Sequence, residues 1–205
     1  MSYRYDNAFI NLGLNTLVSP TPSYTYGLWG WGKNNFGQLG LGNRTYYSSP
    51  KQVGALTTWS SIAASSHTLA LKTDGTLWSW GQNNFGQLGL GNTTYYSSPK
   101  QIGVLTTWSS ITAGSYHTLA LKTDGTLWSW GFNSSGQLGL GNITYYSSPK
   151  QVGALTKWGK LFKAGYTTSS FVLQIATTTT PYTRYGGIWK LNAASAAKGA
   201  GTWSG

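Results

Sequence analysis

The sequence predicts an almost purely β protein built from repeats, and three observations carry that reading. The stretch 78–92, Trp-Ser-Trp-Gly-Gln-Asn-Asn-Phe-Gly-Gln-Leu-Gly-Leu-Gly-Asn, returns with few changes from Trp29 and from Trp128. The second Trp of each copy (Trp31, Trp80, Trp130) recurs after 49 and then 50 residues, a period that marks a repeat architecture. Only 8% of residues are charged, whereas Gly (28), Trp (11) and Tyr (14) abound, a composition of short strands and tight turns.

A chain of 205 residues is long enough to bury a sizeable core, and its aromatic content excludes a disordered polymer. There is no Cys, hence no disulfide frame and no thiolate metal site. The start, Met-Ser-Tyr-Arg-Tyr-Asp-Asn, lacks the basic-then-apolar pattern of a secretory signal, and no run approaches the ~18 apolar residues of a membrane helix. The expectation is a protein without membrane insertion. Fourteen Lys and Arg against three acids give +11, a field that attracts polyanions. With Arg4, Arg44 and Arg184 as the only arginines, the bidentate fork of nucleic-acid recognition is scarce, and nucleic acid is not the expected ligand.

Taken in order, residues 1–23 do not repeat and end in Ser-Pro-Thr-Pro-Ser, so they read as a docking arm. Residues 24–176 form the repeat domain. In the middle copy the strand-like pieces are 77–80, 100–104, 108–113 and 117–122, with Trp78 and Trp80 on one strand face. Lys-Thr-Asp-Gly-Thr (72–76 and 122–126) is expected to form a two-residue Asp-Gly hairpin that ties consecutive repeats into one sheet. Gly-Gln-Leu-Gly-Leu-Gly-Asn (86–92) is too glycine-rich for a strand and reads as a tight loop with Leu88 and Leu90 pointing inward. Pro99 is expected at the start of an edge-type strand. Residues 177–205 read as a linker and a C-terminal arm, with a short helix capped by Asn192 and stopped at Gly199.

The run His-Thr-Leu-Ala-Leu-Lys-Thr-Asp-Gly-Thr-Leu-Trp-Ser-Trp-Gly, followed by Gly-Gln-Leu-Gly-Leu-Gly-Asn, resembles the RCC1 (regulator of chromosome condensation) repeat over roughly 24–172. The resemblance implies four-stranded β-propeller blades. The eukaryotic founders have seven blades and act as exchange factors for a small GTPase; three repeats are countable here, so neither the full ring nor that activity carries over. Gly-Ile-Trp-Lys-Leu (187–191) and the final Gly-Thr-Trp-Ser-Gly resemble the C-terminal ends of some tailed-bacteriophage virion proteins.

The residues give little purchase for catalysis. Asp6, Asp74 and Asp124 are the only acids, and the last two occupy the same turn of successive repeats, not opposite walls of one site. His67 and His117 are repeat equivalents with no acid or Cys beside them, and the third repeat has Thr167-Thr168 in their region; a structural role is expected of both. Residues 27–34 nearly spell a phosphate loop, but Asn34 stands where Ser or Thr would hold magnesium. The Asn-x-Thr triplets at Asn43, Asn92 and Asn142 read as turn asparagines. No enzyme activity, cofactor or metal is expected.

What recurs instead is surface. Tyr46-Tyr47, Tyr95-Tyr96 and Tyr145-Tyr146 stand beside Lys51, Lys100 and Lys150, and these nine residues are the candidate binding set, with an anionic surface glycan as the candidate ligand. The competing reading makes one Tyr of each pair core and the Lys a guard of a strand edge. The function expected is that of a non-enzymatic virion protein of a tailed phage, assembled in the host cytoplasm among other virion proteins, as a tail, fibre or baseplate part or as a capsid decoration. A cellular RCC1-like regulator or chromatin-associated scaffold is the alternative. The chain enters the repeat halfway, at 24–32, and leaves it halfway, at 158–173; the two halves complete one blade either within one chain, as a strained ring of three units, or between chains, and the second, a homo-oligomer, is the favoured expectation.

Overall fold

The computed structural model describes residues 26–55, 58–162 and 169–175, and the backbone of two further strands at 182–185 and 188–191. In chain order the strands are β1 (Trp29–Gly32), β2 (Tyr47–Gln52), β3 (Trp59–Ala64), β4 (His67–Lys72), β5 (Leu77–Gly81), β6 (Tyr96–Gln101), β7 (Trp108–Ala113), β8 (His117–Lys122), β9 (Leu127–Gly131), β10 (Tyr146–Gln151), β11 (Trp158–Leu161), β12 (Val172–Gln174), β13 (Tyr182–Tyr185) and β14 (Ile188–Leu191). Two antiparallel sheets of four, β3-β4-β5-β6 and β7-β8-β9-β10, are blades; β1-β2 and β11-β12 are half blades, and β13-β14 is a separate hairpin. The expected N-terminal arm and the helix from Asn192 to Gly199 lie outside the described residues.

Each blade joins the last two strands of one repeat to the first two of the next, as the Lys-Thr-Asp-Gly-Thr hairpin requires. Its turn, however, is longer than a two-residue loop. Gly75 N donates to Lys72 O (3.0 Å) and Lys72 N to Thr76 O (3.0 Å), so Thr73, Asp74 and Gly75 form a three-residue loop with Gly75 at φ 79°. Asp74 shapes it through Oδ1, which accepts from Thr76 N (2.9 Å) and Thr76 Oγ1 (2.7 Å). The Thr76 hydroxyl in turn accepts from Trp78 Nε1 (2.9 Å), and the same set recurs at Asp124, Thr126 and Trp128.

The expected strand 100–104 is displaced: the strand is Tyr96–Gln101, and Val104 lies 88% exposed beyond it. Pro99 is inside this edge strand, not at its start. It falls where the pairing with β5 shifts register between Ser79↔Lys100 and Gly81↔Tyr96, a place that asks no ladder bond of it. Ile102 N still reaches Leu77 O (2.8 Å), and Gly103 at φ 60° then turns the chain away.

The core lies within and between blades. Trp59 packs edge-on against Trp78 and Trp80 (6.2 and 6.1 Å between centroids), and Trp108 does the same with Trp128 and Trp130 (6.1 Å each). One apolar cluster crosses the boundary, with Leu69, Leu71 and Leu77 of the first blade against Trp108, Ile111 and Trp130 of the second. Each buried indole removes roughly 200 Å² from water, about 5 kcal/mol of gross transfer free energy, so the Trp trios dominate packing.

A hydrogen-bonded relay stitches the seam. Thr118 Oγ1 donates its only proton to Gln87 O (2.9 Å), so it can only accept from His67 Nε2 (3.0 Å), which fixes that nitrogen as the protonated one. Trp130 Nε1 donates to the same Gln87 carbonyl (2.9 Å). One blade earlier, Thr68 and Trp80 share Gln38 O (2.8 and 2.9 Å). One blade later, Ser170 Oγ donates to Gln137 O (2.7 Å) and takes His117 Nε2 (3.0 Å). Ser170 is thus the counterpart of Thr118, which makes Ser169, not Thr167-Thr168, the counterpart of the histidines.

Candidate binding surface

The Gly-Gln-Leu-Gly loop is tied by its amides. Asn83 Nδ2 donates to Asn92 O (3.0 Å) and Thr94 O (2.9 Å), while Asn83 Oδ1 accepts from Leu88 N (2.9 Å) and Gln87 Oε1 from Phe85 N (2.9 Å). Asn43, Asn92 and Asn142 are turn asparagines: each accepts from the backbone N of the residue two on, at 3.0 Å. Leu88 is fully buried, and Leu90 is half-buried against the core. The loop leans on the next blade: a Cβ on Gly86 (φ 80°) would stand 2.5 Å from Ser147 Cα, and Gly91 N donates to Ser147 O (2.8 Å).

This frame separates the two tyrosines of each pair. Tyr47, Tyr96 and Tyr146 turn their hydroxyls to Asn43, Asn92 and Asn142 (3.1, 3.4 and 3.3 Å). Their rings carry the ammonium groups of Lys51, Lys100 and Lys150 at 5.7, 5.4 and 5.4 Å. These three pairs recur once per repeat, with the lysines exposed. Tyr46, Tyr95 and Tyr145 go elsewhere. Tyr95 meets Phe36 of the preceding loop (5.8 Å) under Arg44 (5.8 Å), and Tyr145 meets Phe85 (5.6 Å) and Phe132 (4.8 Å). Tyr46 is 60% exposed.

Sequence reasoning missed the partners from neighbouring repeats. Phe85 sits at the centre of a four-ring group with Tyr116 (5.3 Å), Phe132 (4.7 Å) and Tyr145. The signal available was the Phe of Asn-Asn-Phe-Gly-Gln at equal offsets in two repeats, but its Tyr partner belongs to the following copy. Lys72 and Lys122 were also missed. Lys72 Nζ lies 4.0 Å from the Trp78 ring centre and 5.3 Å from that of Trp59; Lys122 repeats this over Trp128 and Trp108 at 3.8 and 5.1 Å.

The titratable groups act as frame. Burial, and then the charge of His117, lowers the His67 imidazole from 6.5 to about 3, and burial lowers His117 to about 4; both are neutral donors at pH 7. The Thr76 hydroxyl, then its backbone N–H, holds the exposed Asp74 carboxyl below its ordinary range, and Thr126 does so for Asp124. Among the described residues no three His, Asp or Glu converge as metal ligands.

The model described as the regulator of chromosome condensation (RCC1) repeat matches residues 27–71, 74–121 and 124–172, and a second model of that description matches 108–137. The chain belongs to the RCC1 repeat family. No curated protein matches it. Among solved structures, Saccharomyces cerevisiae Prp20p, described with its binding to Gsp1p and histones, is 28% identical with a TM-score of 0.56 over 62% of this chain and 34% of that one. Yeast RCC1 (Prp20) bound to Kap60 is 27% identical, TM-score 0.58, over 67% and 35%. Human WBSCR16 is 27% identical, TM-score 0.55, over 68% and 38%. This RCC1 chain therefore spans about a third of the length of the structures it matches, and its four-stranded sheets are RCC1 propeller blades.

Proposed function

We propose that this RCC1-repeat chain is a non-enzymatic binding module whose ligand is an acidic polysaccharide. The observation that carries the reading is the stacked pair repeated once per blade: Lys51 on Tyr47, Lys100 on Tyr96 and Lys150 on Tyr146. Each tyrosine ring holds an exposed ammonium in place, and that ammonium pairs with a carboxylate or sulfate of the polymer. Three such pairs in series convert weak contacts into avidity. The +11 charge draws the polymer in. The test is binding to immobilised heparin and to neutral dextran by surface plasmon resonance. Replacing Lys51, Lys100 and Lys150 together by Gln is expected to weaken heparin binding at least tenfold at 0.15 M salt in a chain of unchanged circular dichroism; equal binding by the triple variant refutes the proposal.

The finer reading, a structural part of a tailed-phage virion, is supported by the resemblance of residues 187–191 and 201–205 alone. Quantitative mass spectrometry of purified particles decides it: a fixed copy number per particle is expected, and absence from particles refutes it. Of the partners named for Prp20p, histones fit this chain less well. A surface of +11 repels basic histones.

A further inference from the structure

Trp80 and Trp130 are almost completely buried, each donating Nε1 to the Gln carbonyl of the preceding loop. Each is seated over a glycine of that loop: a Cβ on Gly40 would stand 2.8 Å from Trp80 Nε1, and one on Gly89 2.7 Å from Trp130 Nε1. The third loop has the same seat without the indole. Among the described residues, a Cβ on Gly139 would meet only Val152 Cγ1 within 4 Å, at 3.4 Å. A cavity of about 250 Å³ opens there, lined by Leu119, Gln137, Gly139, Val152, Trp158 and Ser170.

At the other end of the arc stands the Trp without a seat. Trp31 is the repeat counterpart of Trp80 and Trp130, yet it is 59% exposed, and Trp29 is 52% exposed. The partner strand is just as bare: Phe171 and Leu173 are 69% and 53% exposed where their counterparts Leu69 and Leu71 are buried. Among the described strands, β1 and β12 are each paired on one side only, in separate two-stranded sheets.

We propose that a second copy of this chain fills the vacant seat with its Trp31, pairing its β1 with β12 to complete a blade head to tail. The register follows from β4–β5, where Thr68 faces Trp80, Ala70 faces Trp78 and Leu71 faces Leu77. Transposed, Ser170 faces Trp31, Val172 faces Trp29 and Leu173 faces Leu28 of the partner copy, and Trp31 Nε1 donates to Gln137 O beside the Ser170 hydroxyl. A second copy is the fitting occupant because the described arc holds two blades and two complementary halves. Closing it on itself would give three blades, below the ~4 to 8 of propellers, whereas two copies give six.

The chain has no cysteine, which makes the test clean. Two full-length single variants, Leu28→Cys and Leu173→Cys, are mixed under oxidising conditions, and the double variant is run alone. The mixture is expected to give a disulfide-linked heterodimer, and mass photometry of the unmodified chain a dimer. Trp31→Ala, at a position exposed in the single chain, is expected to weaken association at least tenfold without altering its circular dichroism. A chain that stays monomeric at tens of micromolar overturns the proposal. So does a double variant that crosslinks only within itself, which would mean closure in cis, or a mixture that does not crosslink. Assemblies larger than a dimer would refute the six-blade ring.

Discussion

His67 Nε2 lies 3.0 Å from Thr118 Oγ1, a residue 51 positions on and in the next blade. Because the Thr118 hydroxyl is spent on Gln87 O, the imidazole must donate, and it does so neutral. Protonation would place a charge in a buried seam whose Nε2 proton is already committed.

That neutrality makes stability depend on pH. Both histidines have folded values below 6.5, about 3 for His67 and about 4 for His117, so the unfolded chain binds more protons between those values and 6.5. The stabilisation is full above pH 6.5 and is lost as pH falls through 6.5 towards about 4 for His117 and about 3 for His67. Melting temperature is expected to drop across this window, and less steeply in His67→Gln; an equal slope in the variant would mean the seam is indifferent to the imidazole's charge.

Gly86 and Gly136 hold the same repeat position with φ of 80° and 74°, but a Cβ at Gly86 meets Ser147 whereas no described residue lies within 4 Å of one at Gly136. Gly136→Ala is expected to cost about 1 kcal/mol, the strain of a left-handed backbone alone. Gly86→Ala adds the steric clash with the next blade and is expected to cost at least about 1 kcal/mol more. Urea denaturation of the two variants gives the comparison, and equal costs would show that loop and blade are not packed as described.

Lys122 lies over Trp128 and Trp108. Lys122→Met keeps the stem and removes the charge, so it should cost about 0.5–1 kcal/mol, and Lys122→Ala more, since the apolar contact goes too. Intrinsic tryptophan fluorescence should shift in both. No loss in the Met variant would assign the whole contribution to the stem.

Trp130→Ala removes an indole that fills the seat over Gly89 and donates to Gln87 O, and a cost of about 3–5 kcal/mol is expected by thermal or urea unfolding. A cost below about 1 kcal/mol would contradict the seating.

The repeat, the four-strand unit and the turn asparagines were legible because each is written within one period. The interface between periods was not. Tyr95 and Tyr96 look like one feature in the sequence, but they divide between a loop Phe of the preceding repeat and a Lys of their own strand. The counterpart of His117 was misplaced because Ser169 follows Trp158 by 11 positions, against 9 from Trp108 to His117 and 8 from Trp59 to His67, and only the hydroxyl bonded to Gln137 O reveals the alignment. Pro99 misled in a third way: a proline reads as a strand boundary, yet a register shift gave it room inside one.

The staggered seam also bears on heredity. Its side-chain ties join residues 30 to 53 positions apart, each from one blade to its neighbour, and the copies are nearly interchangeable. In-frame excision of residues 81–130 would set His67 against Ser170, a hydroxyl for a hydroxyl, and leave Trp80 followed by an equivalent loop. Unequal exchange between the copies in the gene thus removes or adds a whole blade while each joint finds matching chemistry, and the arc can change length in a single recombination event.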